Sequence, residues 1–293
     1  MEERRNGIPT RLLGSTGARV TLIGVGGYHQ GKVGAELGQR IVRTAIDEGI
    51  NFLDNAWCYH DGESERIMGL ALQGGYRDKV FLMTKNHGRD GATYRKQLEE
   101  SLTRLKVDMI DLVQFHDIGP GDAARIFSEG AIEAALEARE QGKIRFIGFT
   151  GHTWPSLHAE MLERAKALGE GFAWDTVQLP INLLDAQYHS FMQAIVPPAR
   201  ERGMGVIGMK SLAGGELLKT GVTPQDAIAF ALSQPIDTLV TGIDSLEVLQ
   251  QNLDIARAWQ PLSERDERRL LEAVAEPASR GHLETYKRVP QGS

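Results

Sequence analysis

Cysteine is nearly absent: Cys58 is the only one in 293 residues. An internal disulfide is therefore excluded, and no cysteine cluster is available for zinc. Long apolar runs are missing too. None approaches the ~18 residues that a membrane-spanning helix requires, so no transmembrane segment is expected. Positive charge is in deficit, with 33 Lys and Arg against 39 Asp and Glu and a formal charge of −6. Nonspecific binding to nucleic acid or to an anionic membrane surface is not expected from that balance. The stretch MEERRNGIPTRLLG has charges but no apolar core, so no signal peptide is expected. Nothing is low-complexity, and no linker divides the chain. Together these absences point to a cytoplasmic protein of one domain, residues 1–293. The oligomeric state stays open. What is present is ordinary for a globular chain, with 41% hydrophobic and 25% charged residues.

The remaining pattern is an alternation. Residues 10–13 and 18–21 flank the turn Gly14-Ser15-Thr16-Gly17 and read as a β-hairpin. Strand patterns follow at 21–27, 50–54, 79–84, 109–115, 144–150, 176–180, 204–210 and 236–242. Helix patterns sit between and after them, at 35–48, 63–73, 93–105, 130–141, 155–168, 190–202, 224–233 and 246–258. Pro197 and Pro198 predict a break in the sixth helix. Thr223 with Pro224 predicts a capped start for the seventh. A final helix at 264–275 and a polar tail complete the chain. Eight strand–helix units imply a parallel sheet closed into a (β/α)8 barrel. The hairpin precedes it and the extra C-terminal helix follows it.

Three successive strand patterns end in ionisable side chains: Asp54, Lys85 and His116. Tyr59 follows Asp54 in the next loop. Strand C-termini share one face of such a barrel, where active sites lie, so these four residues can converge. Taken singly, each has an ordinary reading: a turn cap, a surface lysine, a loop aromatic, a satisfied loop histidine. Taken together at strand ends they suit carbonyl reduction. A hydride must come from a cofactor, because no side chain supplies one. The oxygen that gains charge must then be protonated. A phenol with a pKa near ~10 can donate that proton, helped by a neighbouring ammonium. Asp54 can hold Lys85 charged, and His116 can hydrogen-bond the carbonyl oxygen.

The same residues carry a resemblance. Arg11-Leu12-Leu13-Gly14-Ser15-Thr16-Gly17 and the run Gly49 to Ala56 match motifs of the aldo-keto reductase superfamily. The family's Asp, Tyr, Lys and His tetrad maps onto Asp54, Tyr59, Lys85 and His116. The resemblance covers nearly the whole chain. It implies a (β/α)8 barrel that binds a nicotinamide dinucleotide, NADP with NAD possible, and reduces small carbonyl substrates. It also suggests cofactor contacts. Thr150 and Gly151 stand where the family has a carboxamide-binding Ser-Asn pair, so the amide side chain is missing. Gln178 matches the carboxamide-binding Gln, with Asn182 in the adjoining loop. Met209 takes the place of an aromatic that stacks on the nicotinamide. Lys210 can pair with a phosphate, and Ser211 and Leu212 offer backbone N–H groups to the pyrophosphate. Aligned on Asn252, the positions of a basic clamp for the adenosine phosphate hold Gly242 and Val248, with Asp244 nearby.

Two other classes remain open from the sequence: a cofactor-binding regulatory or interaction subunit with little turnover, and a Schiff-base aldolase using Lys85. A metal site is not expected, since His60, His116, His152 and His158 lack ligand spacing. Cys58 is expected to be an inert, buried thiol. Trp57, His60, Tyr28, His29 and Trp154 are candidate pocket walls.

Overall fold

The computed structural model describes residues 3–169 and 172–287. The chain opens with a small antiparallel sheet of β1 (Arg4–Arg5), β2 (Ile8–Leu12) and β3 (Arg19–Thr21). The barrel strands follow in order: β4 (Ile23–Gly26), β5 (Phe52–Asp54), β6 (Phe81–Asn86), β7 (Ile110–Phe115), β8 (Ile144–Thr150), β9 (Thr176–Pro180), β10 (Gly205–Met209) and β11 (Thr238–Gly242). They are parallel neighbours in chain order, and β11 closes the ring by pairing with β4, Leu239 opposite Ile23. The helices are α1 (Ala35–Asp47), α2 (Glu63–Ala71), α3 (Gly91–Leu105), α4 (Asp122–Ser128), α5 (Ala131–Glu140), α6 (Pro155–Ala167), α7 (Phe191–Ala194), α8 (Val196–Glu201), α9 (Pro224–Ser233), α10 (Leu246–Ala258) and α11 (Glu264–Ala278). The expected (β/α)8 barrel is therefore present, with the β-hairpin before it and the extra helix after it.

Side-chain alternation along each strand builds two layers. Leu53, Leu82, Val113, Ile147 and Val177 join the large cluster beneath the helices. Phe52, Phe81, Met83, Leu112 and Ile207 form a second cluster with Leu13 and Val20 of the N-terminal sheet. Phe52 stacks on Phe81 at 5.6 Å and Phe81 on Phe146 at 6.1 Å. The aromatic stack fills the N-terminal end of the barrel, and the hairpin seals it. One step along the same in-phase positions come Asp54 after Phe52, and Lys85 after Phe81 and Met83. Polar chemistry therefore stands directly above a packed apolar plug.

Several boundaries differ from the sequence reading. The third barrel strand runs Phe81–Asn86, because residues Arg77–Lys79 form a 3₁₀ turn and Phe81 is the residue that pairs with Phe52. The predicted 190–202 helix is two pieces split at Ile195, just ahead of the two prolines. Helix α4 was not anticipated. The hairpin gains Arg4–Arg5 as a third strand. Thr223 caps α9 as expected, its hydroxyl accepting from the Asp226 N–H at 3.1 Å.

The polar tail is more than a tail. Lys287 is fully buried, and its ammonium binds Asp185 at 2.8 Å, Glu284 at 2.8 Å and the Tyr188 carbonyl at 2.6 Å. Tyr286 donates to Glu284 at 2.7 Å, and Asn182 donates to the Tyr286 hydroxyl at 2.9 Å. The segment 281–287 is thus a strap across the loop after β9. Among the described residues no helix is long and apolar enough to cross a membrane.

Candidate active site

Lys85 is 1% exposed, and Asp54 beside it is 3% exposed. The ammonium donates to Asp54 Oδ1, to the Asn55 carbonyl at 2.8 Å and to the Tyr59 hydroxyl at 3.4 Å. Its three protons are all engaged. Burial alone would push the Lys85 ammonium down, but the Asp54 carboxylate and Tyr59 outweigh it and hold the pKa above the usual lysine value. Gln178 of β9 completes the floor, donating to Asp54 Oδ2 at 2.8 Å. Replacing a buried ion pair by apolar groups is often neutral or stabilising, so a pair kept at this depth is weak evidence for stability. In a barrel mouth it is evidence for chemistry.

Tyr59 lies on the turn between β5 and α2. His60 and Asp61 after it both take left-handed backbone angles, φ 49 and 54, which are uncommon for residues with a Cβ. Arg104 of α3 pins this loop by donating to the Trp57 carbonyl at 2.9 Å. The phenol is thereby held between Lys85 and the His116 ring, whose centroid is 5.7 Å away. Burial pushes the phenol up to about 12, against the opposing pull of the Lys85 charge. The lowering that a neighbouring ammonium exerts on a phenol is therefore outweighed by burial here. Tyr59 is protonated at any ordinary pH and available as a proton donor.

The structure thus brings Asp54, Tyr59, Lys85 and His116 together, as their strand-end positions suggested. It adds two residues. His87, two past Lys85, places Nε2 at 2.8 Å from His116 Nδ1. Cys58 Sγ is 3.1 Å from His87 Nε2 and 3.6 Å from His116 Nδ1. The thiol is half-buried and faces two imidazoles, which corrects the expectation of a Cys58 buried away from any base. Burial, then the Lys85 charge, keeps His116 well below the usual imidazole value. Burial, then Arg89, lowers His87. Both rings are neutral near pH 7.

The remaining sequence candidates ring the same mouth. Thr150 is the last residue of β8, and its carbonyl accepts from the Ile118 N–H at 3.0 Å. At Gly151 an added Cβ would sit 3.0 Å from His158 and 3.2 Å from the Ile118 nitrogen. Tight packing there explains the absence of an amide side chain. Asn182 is spent on the loop itself, bonding the Lys210 carbonyl and the Leu184 and Asp185 N–H groups. Met209 ends β10, with Lys210, Ser211 and Leu212 turning out of it. Lys210 has φ 59 and its ammonium lies 5.5 Å from the Tyr286 ring centre. Burial pushes this lysine below its usual value. At the end of β11, Gly242 abuts the His29 ring; beyond it Asp244 is exposed, Ser245 caps α10, and Asn252 is buried on that helix.

These residues fit a nicotinamide dinucleotide in one specific respect. Gln178 Oε1 is buried without a partner while its nitrogen serves Asp54. An amide N–H of a carboxamide is a suitable donor for it. The Schiff-base alternative fits poorly, because Lys85 is charged, raised and fully hydrogen-bonded.

The chain is 30% identical over 227 residues to L-galactose dehydrogenase of Arabidopsis thaliana, covering 73% of this chain and 68% of that protein. It is 30% identical over 244 residues to 6-dehydroglucose reductase of Novosphingobium aromaticivorans, covering 76% and 75%. An aldo-keto reductase of Bacillus subtilis is 28% identical over 221 residues, covering 70% of this chain and 62% of the relative. The chain therefore spans roughly two thirds of the length of these relatives. Among solved structures, the holo form of an aldo-keto reductase from Bacillus halodurans superposes with a TM-score of 0.77 at 23% identity, covering 91% of this chain and 96% of that one. The family model described as the aldo/keto reductase family matches residues 22–275, and with that match over most of its length this chain belongs to the aldo/keto reductase family.

Proposed function

We propose that this chain, as one cytoplasmic barrel domain, reduces aldehyde or ketone carbonyls of small molecules to alcohols, using NADPH or NADH. The observation that carries the reading is the Lys85 ammonium, buried between Asp54 and the Tyr59 hydroxyl. When bound, the dinucleotide supplies the hydride. Tyr59 gives its proton to the oxygen that becomes an alkoxide. An alkoxide is more basic than a phenolate, so the transfer runs downhill. Lys85 stabilises the phenolate left behind, and Asp54 keeps Lys85 charged and aimed. His116, neutral, donates a ring N–H to the same oxygen and orients the substrate. Gln178 holds the carboxamide of the cofactor. The turn Lys210, Ser211, Leu212 and the N-terminus of α10 hold its phosphates. Two of the relatives are named for sugar-derived substrates. Tyr28 and Trp154 at the rim, 43% and 37% exposed, suit stacking on such rings. Hydroxylated aldehydes are therefore the first substrates to try.

The test is oxidation of NADPH and NADH against a panel of sugar aldehydes, simple aldehydes and dicarbonyls. Tyr59→Phe keeps the ring and removes the acidic proton. It is expected to bind the dinucleotide normally and to lose about 10²- to 10⁴-fold in turnover, the worth of general acid catalysis. Wild-type turnover in Tyr59→Phe would remove Tyr59 from the proposed role. Tight dinucleotide binding with no turnover on any carbonyl would favour a regulatory subunit.

A further inference from the structure

We propose that Cys58, His87 and His116 form a binding site for a zinc-class divalent cation. The three ligand atoms lie within 4.8 Å of one another, each offering one lone pair. Tetrahedral zinc, with bonds of about 2.3 Å to sulfur and about 2.0 Å to nitrogen, sets S···N near 3.6 Å and N···N near 3.3 Å. The observed separations are 3.6 Å for Cys58 to His116, 3.1 Å for Cys58 to His87 and 2.8 Å for the two nitrogens. An ion at the centre requires each short pair to open by about 0.5 Å, a side-chain adjustment.

The backbone under these ligands is already fixed. They follow three adjacent strands, β5, β6 and β7. The Trp57 N–H donates to the Lys85 carbonyl at 3.0 Å, and the His116 N–H to the Asn86 carbonyl at 2.8 Å. The His87 N–H donates to Gln97 at 2.8 Å, and Arg89 donates to the His116 carbonyl at 2.6 Å. Nearby cations do not forbid an ion. Lys85 is paired with Asp54, and Arg89 with Asp122 at 2.8 Å. Binding releases the Cys58 thiol proton, and thiolate formation offsets one of the two positive charges. The proton shared between the two imidazoles moves to a ring nitrogen that faces away from the ion. Two imidazoles and one thiolate select a borderline-soft ion such as Zn²⁺ over Mg²⁺ or Ca²⁺. Three protein ligands leave a fourth position for water.

His116 serves both the ion and the proposed reduction. The ion therefore inhibits that reaction by occupying the mouth beside Tyr59, and this second statement rests on the reductase reading. Binding itself does not. The experiment is titration of the metal-free full chain with Co²⁺ and Zn²⁺, Co²⁺ followed by absorption and Zn²⁺ by competition with a chromophoric chelator. The expected result is one ion per chain and a thiolate-to-cobalt charge-transfer band. Cys58→Ala abolishes the band. Cys58→Ala and His87→Ala each weaken zinc by at least about tenfold, the floor set by loss of a mere outer-shell partner. Cys58→Ser replaces Cys58→Ala if circular dichroism shows that the alanine variant is unfolded. No saturable binding, or binding unchanged in both variants, overturns the site. Binding without any carbonyl turnover in the metal-free protein keeps the site and fails the reductase reading. Turnover that zinc leaves untouched at full occupancy overturns the inhibition alone.

Discussion

Gly242 and Val248 stand where a basic clamp on the adenosine phosphate is expected, and neither carries charge. The structure adds one side chain to that region, the His29 ring against Gly242. Burial lowers the His29 pKa, with Asp244 pulling the other way, so the ring is a poor substitute for the missing clamp. Lys210 is turned toward Tyr286. A charge-assisted bond to phosphate is worth roughly 1.5 to 3 kcal/mol, so loss of two such bonds removes much of any preference. We expect NADPH to be favoured over NADH by less than about a thousandfold in dissociation constant. Fluorescence titration of both at one ionic strength measures the ratio. A larger ratio means another basic group reads the phosphate. A strong NADH preference puts Asp244 in control, and Asp244→Ala then shifts the ratio back. Among single residues, the convergence of Asp54, Tyr59, Lys85 and His116 was legible because strand ends are where periodicity stops and polarity begins. His87 was passed over, although it continues the phase of Met83 and Lys85 beyond the strand end. Extending the two-residue alternation into the loop was the signal that could have found it. His29 was named only as a pocket wall, since its place against Gly242 depends on β11 lying beside β4.

At the scale of elements, helix α6 is joined to the barrel by a buried histidine. His158 is 1% exposed, with its ring edge-on to Phe149 of β8 and Phe191 of α7. Its Nε2 meets the Gln178 carbonyl at 3.3 Å, and Nδ1 has no partner. Burial pushes its pKa from 6.5 down to about 4. The folded-state value is depressed, so the neutral ring is favoured in the fold. Its contribution is complete above pH ~6.5 and is lost as pH falls toward ~4, a total of about 3 kcal/mol by linkage. Thermal unfolding followed from pH 7 to 4 is therefore expected to show a falling midpoint. His158→Gln is expected to flatten that slope. An equal slope in the variant would assign the acid sensitivity to other groups, His116 first among them. The eight barrel strands and the order of their main helices were readable, because 3.6- and 2-residue periods report burial directly, whereas the short α4 and the Arg4–Arg5 strand were not. Boundaries shifted where tertiary pairing decided them, as at Phe81, which is drawn into β6 by Phe52.

For the molecule as a whole, the strap is the part the sequence concealed. GHLETYKR reads as a polar tail, yet Lys287 and Glu284 are buried against Asp185. Polarity predicts exposure only while a charge lacks a buried partner, and Asp185 is 102 positions away. Removing one member leaves uncompensated charge inside the protein. Lys287→Met is expected to cost about 3 to 5 kcal/mol. The double variant Lys287→Met with Asp185→Asn should recover part of it. Denaturant unfolding checks both, and a single variant as stable as wild type would show that the strap contributes nothing. Because Tyr286 bonds Asn182, which in turn holds the Lys210 carbonyl, the same variant is also expected to raise KM for the cofactor.

Ring closure between β4 and β11 has a consequence for biosynthesis. Ile23 waits for Leu239, which emerges from the ribosome 216 residues later. At about 5 to 20 residues per second that is roughly 10 to 40 s with one edge of the nascent sheet unpaired. The waiting strand is Ile-Gly-Val-Gly, half glycine, and glycine-rich segments are poor templates for cross-chain pairing. Gly24 also has no room for a side chain, since an added Cβ would lie 2.7 Å from the Phe52 ring. The residue that lets the finished barrel pack is therefore the same one that keeps the unfinished chain from sticking to its neighbours.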